Sequence, residues 1–190
     1  RDDYEKDIWF SGKTFATDDF AETISFSTIN EKKAINFVKQ AQFDILIAFG
    51  VGLIRYEFIS AANSQIYNLH GGNPEKYRGL DSHLWSIWHE DFGELKTCLH
   101  EVDEKFDTGK IFDVRSLALP RTTELHHLRS INTQVCFEVT CDLLKVLSDS
   151  RAIKCRTQKS QGRYYHAMPS SLKSICMNKF GNFMKKKNVQ

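Results

Sequence analysis

Two polar side chains at the end of a short apolar stretch are the first candidates for chemistry. In residues 67–70 (YNLH) the period of two of a β-strand places Asn68 and His70 on the same face. Two glycines follow at once, and ligands of open α/β sheets bind beyond the carboxyl ends of the strands. An amide can donate to developing negative charge, and an imidazole titrates near neutral pH. Taken alone, however, such a pair is more often a solvated strand end.

An acidic turn supplies a third candidate group. Residues 102–111 (VDEKFDTGKI) join two predicted strands through a turn that contains Asp103, Asp107 and Gly109. An ordinary turn also favours Asp and Gly. If the two strands are neighbours, the turn lies over the same sheet edge as Asn68 and His70, and an amide, an imidazole and a carboxylate converge on one cleft.

Three motifs in order make this sequence resemble the folate-dependent formyltransferase family. They are Asn-x-His at 68–70, Tyr-Arg-Gly at 77–79, and Val-Asp-x-x-x-Asp-Thr-Gly-x-Ile at 102–111. The match extends over roughly residues 43–119, and each motif alone would be weak. The family uses an Asn, a His and an Asp as its catalytic set, and by motif position these fall on Asn68, His70 and Asp107.

One departure from the family pattern narrows the implied substrate. The family histidine is often followed by Pro-Ser, whereas here residues 71–72 are Gly-Gly, with residues 80–85 (LDSHLW) behind them. This variant looks most like the sugar N-formyltransferases. The resemblance therefore implies transfer to the amine of a nucleotide-linked amino-dideoxy sugar, such as dTDP-4-amino-4,6-dideoxyglucose, in polysaccharide or O-antigen biosynthesis.

The resemblance also implies roles for individual residues. Asn68 would donate to the formyl oxygen, His70 would act as general base, and Asp107 would hold the imidazole or relay its proton. Formyltetrahydrofolate is the implied co-substrate, and the reaction needs no metal. The implied folate contacts are Phe49, Gly50, Val51, Gly52, Leu53, Val102 and Asp103. The implied acceptor contacts are Tyr77, Arg78 and Gly79.

Other chemical interpretations are weaker. Gly50-x-Gly52 has Arg55 where a dinucleotide fingerprint has its third glycine, so an NAD site is poorly supported. His83 and His89 are six residues apart on a predicted helix, which is poor metal-ligand geometry.

The elements that must position these groups alternate as an open α/β sheet does. We predict a mostly parallel, Rossmann-like formyltransferase sheet with flanking helices. Its predicted strands are 22–29, 43–49, 65–70, 96–102, 110–117 and 162–168. One short helix is predicted to begin with Asn30 as its N-cap, and four further helices are predicted over 56–62, 82–89, 123–147 and 171–183.

Domain organisation follows from the same pattern. We expect an α/β domain over 1–150 and a C-terminal strand and helix extension over 151–190. The first dozen residues look irregular and charged, and the chain begins with Arg1 rather than Met. We therefore expect strand–helix units of the family fold to precede the strand at 22–29.

Composition bounds the class of protein. With 41% hydrophobic and 26% charged residues, the 190-residue chain is typical of a globular protein. A net charge of +2 favours no anionic partner, and we expect neither nucleic acid nor membrane binding. Five cysteines without ligand spacing indicate reduced thiols and a cytoplasmic location. The sequence is also compatible with a homodimer.

Two rival functions share these residues. A hydrolase that releases the formyl group to water would keep the same three side chains without an acceptor pocket. A non-catalytic remnant would bind folate or nucleotide without turnover.

Overall fold

The computed structural model describes residues 2–189. Its strands are β1 (Leu46–Phe49), β2 (Ile66–His70), β3 (Tyr77–Gly79), β4 (Lys96–Glu101), β5 (Ile111–Ser116) and β6 (Arg163–Tyr165). Its helices are α1 (Asp2–Phe10), α2 (Lys32–Gln40), α3 (Tyr56–Ala61), α4 (Ser82–Trp88), α5 (Leu128–Ser148) and α6 (Ser170–Lys187). Short 3-10 turns lie at Thr17–Asp19, Phe92–Glu94 and Leu125–His127. The predicted α/β class with flanking helices is confirmed.

The central sheet has the strand order β1-β2-β4-β5. β1 and β2 are parallel, while β2 pairs with β4, and β4 with β5, in antiparallel fashion. The sequence predicted mostly parallel pairing, and here one strand pair of the three is parallel. The connection from β4 to β5 explains the difference in part, because so short a turn joins antiparallel neighbours, whereas a parallel crossover needs a dozen residues or more.

Each face of this sheet is covered by different helices. Tyr67 and Leu99 point to one face, where they pack with Val139 and Leu143 of α5. The other face carries Ala48 against α2 and α3. Because side chains alternate along a strand, Asn68 and His70 lie on the face opposite α5.

The C-terminal segment packs into the rest of the chain. β6 pairs with β3 in a parallel two-stranded sheet. Phe180, Cys176 and Met184 of α6 are buried with Ile87 of α4 in the largest core cluster. The part of the chain after α5 thus contributes to the same core as the site-bearing region.

The predicted strand at 22–29 is wrong, because this segment forms neither a strand nor a helix. Ile24 is half exposed, and only Phe26 and Ile29 pack beside the cluster formed by α2, α3 and β1. A strand needs a neighbour for its N–H and C=O groups, and among residues 2–189 the sheet ends at β1. The alternation of Ile24 and Phe26 therefore does not mark a strand.

The first dozen residues are also not irregular, since Asp2–Phe10 forms helix α1. Contacts far along the chain hold this helix. The Glu5 carboxylate pairs with Arg129 of α5, and the Tyr4 ring stacks on His127 at 4.3 Å. No helix within residues 2–189 is long and apolar enough to span a bilayer.

Candidate active site

The structure brings the side chains of Asn68, His70 and Asp107 together at the carboxyl end of β2. The Asn68 amide donates to Asp107 Oδ1 at 3.4 Å. His70 Nδ1 lies 3.6 Å from the same oxygen, which is too long for a direct hydrogen bond. An amide, an imidazole and a carboxylate therefore share one point of the cleft.

A tight turn between β4 and β5 carries Asp107 to this position. Asp107 has φ of 53°, a left-handed conformation that is uncommon for a residue with a side chain and occurs at functional sites. Two residues later, a Cβ on Gly109 would lie 1.8 Å from the Glu101 carbonyl oxygen. Only glycine allows the turn to fold back so closely on β4.

His70 is buried, and a backbone carbonyl sets its tautomer. Its Nε2 lies 2.9 Å from the Tyr77 carbonyl oxygen, which can only accept, so Nε2 carries the hydrogen of the neutral ring. Nδ1 then presents its lone pair toward Asp107. Burial lowers the pKa of His70 below its usual value, although the Asp107 carboxylate works in the opposite direction. The neutral form that a general base needs is therefore favoured near neutral pH.

The glycine pair after His70 has a steric reason here. A Cβ added to Gly72 would lie 2.7 Å from Ser82 Cβ and 3.1 Å from His70 Nε2. The backbone of Gly72 thus fits between the first residue of α4 and the imidazole.

His100 completes the cluster, and sequence reasoning missed it. It stands directly opposite Asn68 in the β2–β4 register. Its Nδ1 lies 2.8 Å from the Glu101 carbonyl oxygen, and its Nε2 lies 3.4 Å from Asp107 Oδ1 and 3.3 Å from Asn68 Nδ2. The signal was available: in an antiparallel pair, opposed side chains share a face. It could be used only once that pairing was known.

Asp107 is held as a charged carboxylate. Burial opposes its ionisation, but the hydrogen bond from His100, the neighbouring His70 and the Gly79 N–H together lower its pKa to about 2. The Gly79 N–H donates to Asp107 Oδ2 at 2.7 Å. A buried negative charge next to an imidazole stabilises the imidazolium that forms when His70 takes up a proton.

A cleft of about 500 Å³ opens over these side chains. One wall is the loop after β1, and the other walls include the β4–β5 turn and the start of α5. Of the predicted folate contacts, Gly50, Val51, Gly52, Leu53, Val102 and Asp103 line it. Phe49 does not, and faces a second cavity of about 520 Å³ beside α1. Six of the seven predicted residues therefore surround one cavity.

Asn30 holds the loop after β1 in place. It was predicted as the N-cap of α2, but Glu31 occupies that position. The Asn30 amide instead donates to the Leu53 carbonyl at 2.7 Å, and its oxygen accepts the Arg55 N–H at 2.8 Å. The predicted cap thus fixes the glycine loop that forms one wall of the cleft.

The predicted acceptor contacts are divided by the structure. Gly79 lines the cleft and bonds to Asp107. Tyr77 is buried and donates its hydroxyl hydrogen to Asp91 at 3.2 Å, away from the cleft. Arg78 donates to the Gly162 and Phe106 carbonyls. Tyr77 and Arg78 therefore join the loops around the site to one another.

Comparisons with solved structures identify the fold. No family model matches the sequence, and no curated protein matches it. One similar structure is the formyltransferase PseJ from Anoxybacillus kamchatkensis, solved in complex with UDP-4,6-dideoxy-4-formamido-L-AltNAc and tetrahydrofolate. It aligns with a TM-score of 0.58 and 20% identity over 67% of this chain and 66% of its own. Rv3404c of Mycobacterium tuberculosis, described as a candidate sugar N-formyltransferase, aligns with a TM-score of 0.59 and 16% identity over 70% of this chain and 56% of its own.

A third similar structure belongs to a much longer protein. HypX from Aquifex aeolicus, solved in complex with tetrahydrofolic acid, aligns with a TM-score of 0.55 and 21% identity over 68% of this chain and 22% of its own. Together these likenesses confirm the predicted formyltransferase fold. The chain spans less than two thirds of the length of each of these three proteins.

Proposed function

We propose that this protein transfers the formyl group of formyltetrahydrofolate to the amine of a nucleotide-linked amino-dideoxy sugar, of which dTDP-4-amino-4,6-dideoxyglucose is an example. The observation that carries the proposal is the convergence of Asn68, His70 and Asp107 on one cleft within a formyltransferase fold. PseJ, which shares this fold, was solved with a formamido sugar nucleotide and tetrahydrofolate. Five free thiols fit a reducing, cytoplasmic setting.

Transfer begins when the neutral amine attacks the formyl carbon, and negative charge then develops on the formyl oxygen. One N–H of Asn68 donates to Asp107 Oδ1 at 3.4 Å, and His100 Nε2 donates to the same oxygen and therefore takes no hydrogen from Asn68. The second N–H of Asn68 is left to donate to the oxyanion. A single contact of this kind elsewhere contributes about 3 kcal/mol to transition-state stabilisation.

The attacking amine loses a proton as the new C–N bond forms. His70 Nδ1 takes up this proton, directly or through one water, because Nε2 is engaged by the Tyr77 carbonyl. Asp107 then stabilises the imidazolium. Collapse of the tetrahedral intermediate breaks the bond to the folate nitrogen, which leaves with a proton returned from the His70 side. The products are the formamide and tetrahydrofolate.

The folate and the acceptor occupy different walls of the cleft in this proposal. The backbone of the loop at residues 50–53 and the turn around Asp103 would hold the pterin, since peptide N–H and C=O groups match the donors and acceptors of that ring. The acceptor amine would approach between His70 and Asn68. Gly79 would lie close to it, because this residue lines the cleft and bonds to Asp107.

Turnover of formyltetrahydrofolate, measured with and without a panel of nucleotide-linked amino sugars, tests the proposal. We expect tetrahydrofolate release only when an amino sugar is present, with a formamide as the second product. Release without an acceptor would show a hydrolase instead. Tryptophan fluorescence or calorimetry would measure folate binding. Binding without any release of tetrahydrofolate would show a binding protein that lacks turnover.

A further inference from the structure

The turn that carries Asp107 is braced by a side chain far along the sequence. Gln158 Nε2 donates to the Asp107 carbonyl and to the Gly109 carbonyl, both at 2.9 Å. Gln158 lies 51 residues after Asp107, in the segment between α5 and β6. One side-chain amide thus joins the two ends of the Asp107–Gly109 stretch.

Inside the turn, other contacts hold residues 103–108 but not these carbonyls. The Asp103 carboxylate accepts the Thr108 hydroxyl at 2.7 Å and the Lys105 N–H at 3.2 Å. These bonds close the first part of the turn. The left-handed residue Asp107 lies just before Thr108, and neither its carbonyl nor that of Gly109 accepts a hydrogen in these bonds.

Both hydrogens of the Gln158 amide are used, one for each carbonyl. Its oxygen, Gln158 Oε1, is buried, and no group within residues 2–189 donates a hydrogen bond to it. The orientation of the amide is therefore unambiguous, because a flipped group would place its oxygen against two carbonyl oxygens. A buried amide whose oxygen has no partner indicates that the two donated bonds determine its position.

The chain on either side of Gln158 is itself anchored. The Arg156 guanidinium pairs with both Glu75 carboxylate oxygens at 2.8 Å, and the Lys159 N–H donates to Glu75 at 2.6 Å. Arg156 also exchanges two backbone hydrogen bonds with Ile111, each at 2.8 Å. Gln158 therefore reaches the turn from a fixed base.

We propose that Gln158 is a positioning residue, whose amide holds the left-handed turn so that the Asp107 carboxylate faces His70 and His100. The effect of Gln158 on formyl transfer rests on the proposed function, whereas its effect on the position of the Asp107 carboxylate does not. Without the two donated bonds the turn relaxes, and the carboxylate moves away from the imidazole that it stabilises.

Gln158→Met tests the inference, because methionine is of similar length and has no donor. Gln134→Met is the matched control, since the side chain of Gln134 donates to Glu138 one turn along α5, outside the site. The first readout is the pKa of the His70 imidazole, which NMR measures in the full chain without any ligand. We expect it to fall by about half a unit or more in Gln158→Met, since a departing carboxylate no longer favours the imidazolium, and to stay unchanged in Gln134→Met.

The second readout is the pH profile of formyl transfer. If His70 is the base, its acid limb should move to lower pH in Gln158→Met, together with a fall in kcat of about tenfold or more. Loss of folded protein alone would lower the amplitude without moving the limb. A shifted His70 pKa in a protein that shows no transfer would support the positioning role and overturn the proposed function.

An unchanged His70 pKa in folded Gln158→Met would overturn the inference. If that variant does not fold, Gln158→Asn keeps the amide but withdraws it by one methylene, and the same shift is expected. Failure of both variants to fold would also overturn it, because Gln158 would then support the whole fold rather than the turn.

Discussion

Replacing Asp107 by Asn should lower the stability of the protein by a predictable amount. The amide keeps an oxygen for the Gly79 N–H but removes the charge that faces two histidines. The pKa of Asp107 falls from its ordinary 3.8 to about 2, because the hydrogen bonds from His100 and Gly79 and the charge interaction with His70 outweigh burial. At about 1.4 kcal/mol for each pKa unit, the charged form contributes about 2 kcal/mol near neutral pH.

The pH dependence of this effect gives the sharper test. A carboxylate whose folded pKa is lowered contributes stability above its unfolded pKa and loses it as the pH falls through the folded value. The difference in unfolding free energy between the wild type and Asp107→Asn should therefore be largest near neutral pH. It should disappear as the pH falls from about 4 to about 2. Urea unfolding at a series of pH values measures it. The exposed Asp142, which pairs with Arg115 and Lys145, supplies Asp142→Asn as control, with little change expected. Equal stability of wild type and Asp107→Asn at neutral pH, or a gap that persists undiminished at the acid end, would refute the reasoning.

Three further predictions concern the histidines and the amide. His70→Asn should lower kcat about a hundredfold or more and leave folate affinity nearly intact, as steady-state kinetics and a binding titration would measure; near-normal turnover would exclude a general base at this position. Asn68→Ala should reduce kcat by about 10²–10³, with a smaller effect on KM, since its bond strengthens only as the oxyanion forms; a change confined to KM would contradict this. Burial lowers the pKa of His83 to about 4, so the unfolded chain takes up a proton first as the pH falls below 6.5, and up to about 3 kcal/mol of stability is lost between about pH 6.5 and pH 4. Unfolding titrations of His83→Gln should show a flatter acid side, and an unchanged slope would show that other groups are responsible.

Local patterns predicted most of the elements that carry the site. The apolar run at 43–49 contains β1, the alternation at 65–70 contains β2, and the helical spacing at 123–147 contains the turn before α5 and nearly all of α5. These elements bury side chains at the period that their own sequence shows. The site residues Asn68 and His70 followed from the same local rule.

What could not be predicted depends on pairing between distant segments. His100 joins the cluster only through the antiparallel register of β2 and β4, and a single sequence does not specify that register. Helix α1 leaves its apolar residues Ile8, Trp9 and Phe10 partly exposed, and contacts with distant residues, such as the pairing of Glu5 with Arg129, hold it. Conversely, Ile24 and Phe26 alternate as a strand does but have no strand beside them.

Arg78 shows the same limit for individual roles. Its motif placed it next to the site, but its two bonds to the Gly162 and Phe106 carbonyls were invisible in sequence. A charged side chain near a cleft can equally bind a ligand or connect two loops. Only the positions of the distant carbonyls distinguish these roles.

The anchoring of Glu75 by residues 156–160 has a consequence for the order in which the molecule is built. Glu75 and its partner Lys159 are 84 residues apart, and β3 and its partner β6 are separated by a similar length of chain. During synthesis the strand that carries Asn68 and His70 leaves the ribosome long before the segment that braces the loops around it. Long-range contacts of this kind form late, because the entropy of closing the loop opposes them until both ends are present. The nascent chain should therefore pass through a stage in which the sheet exists but the loops around the cleft are not yet braced, and full ligand affinity should appear only after residue 165 has emerged.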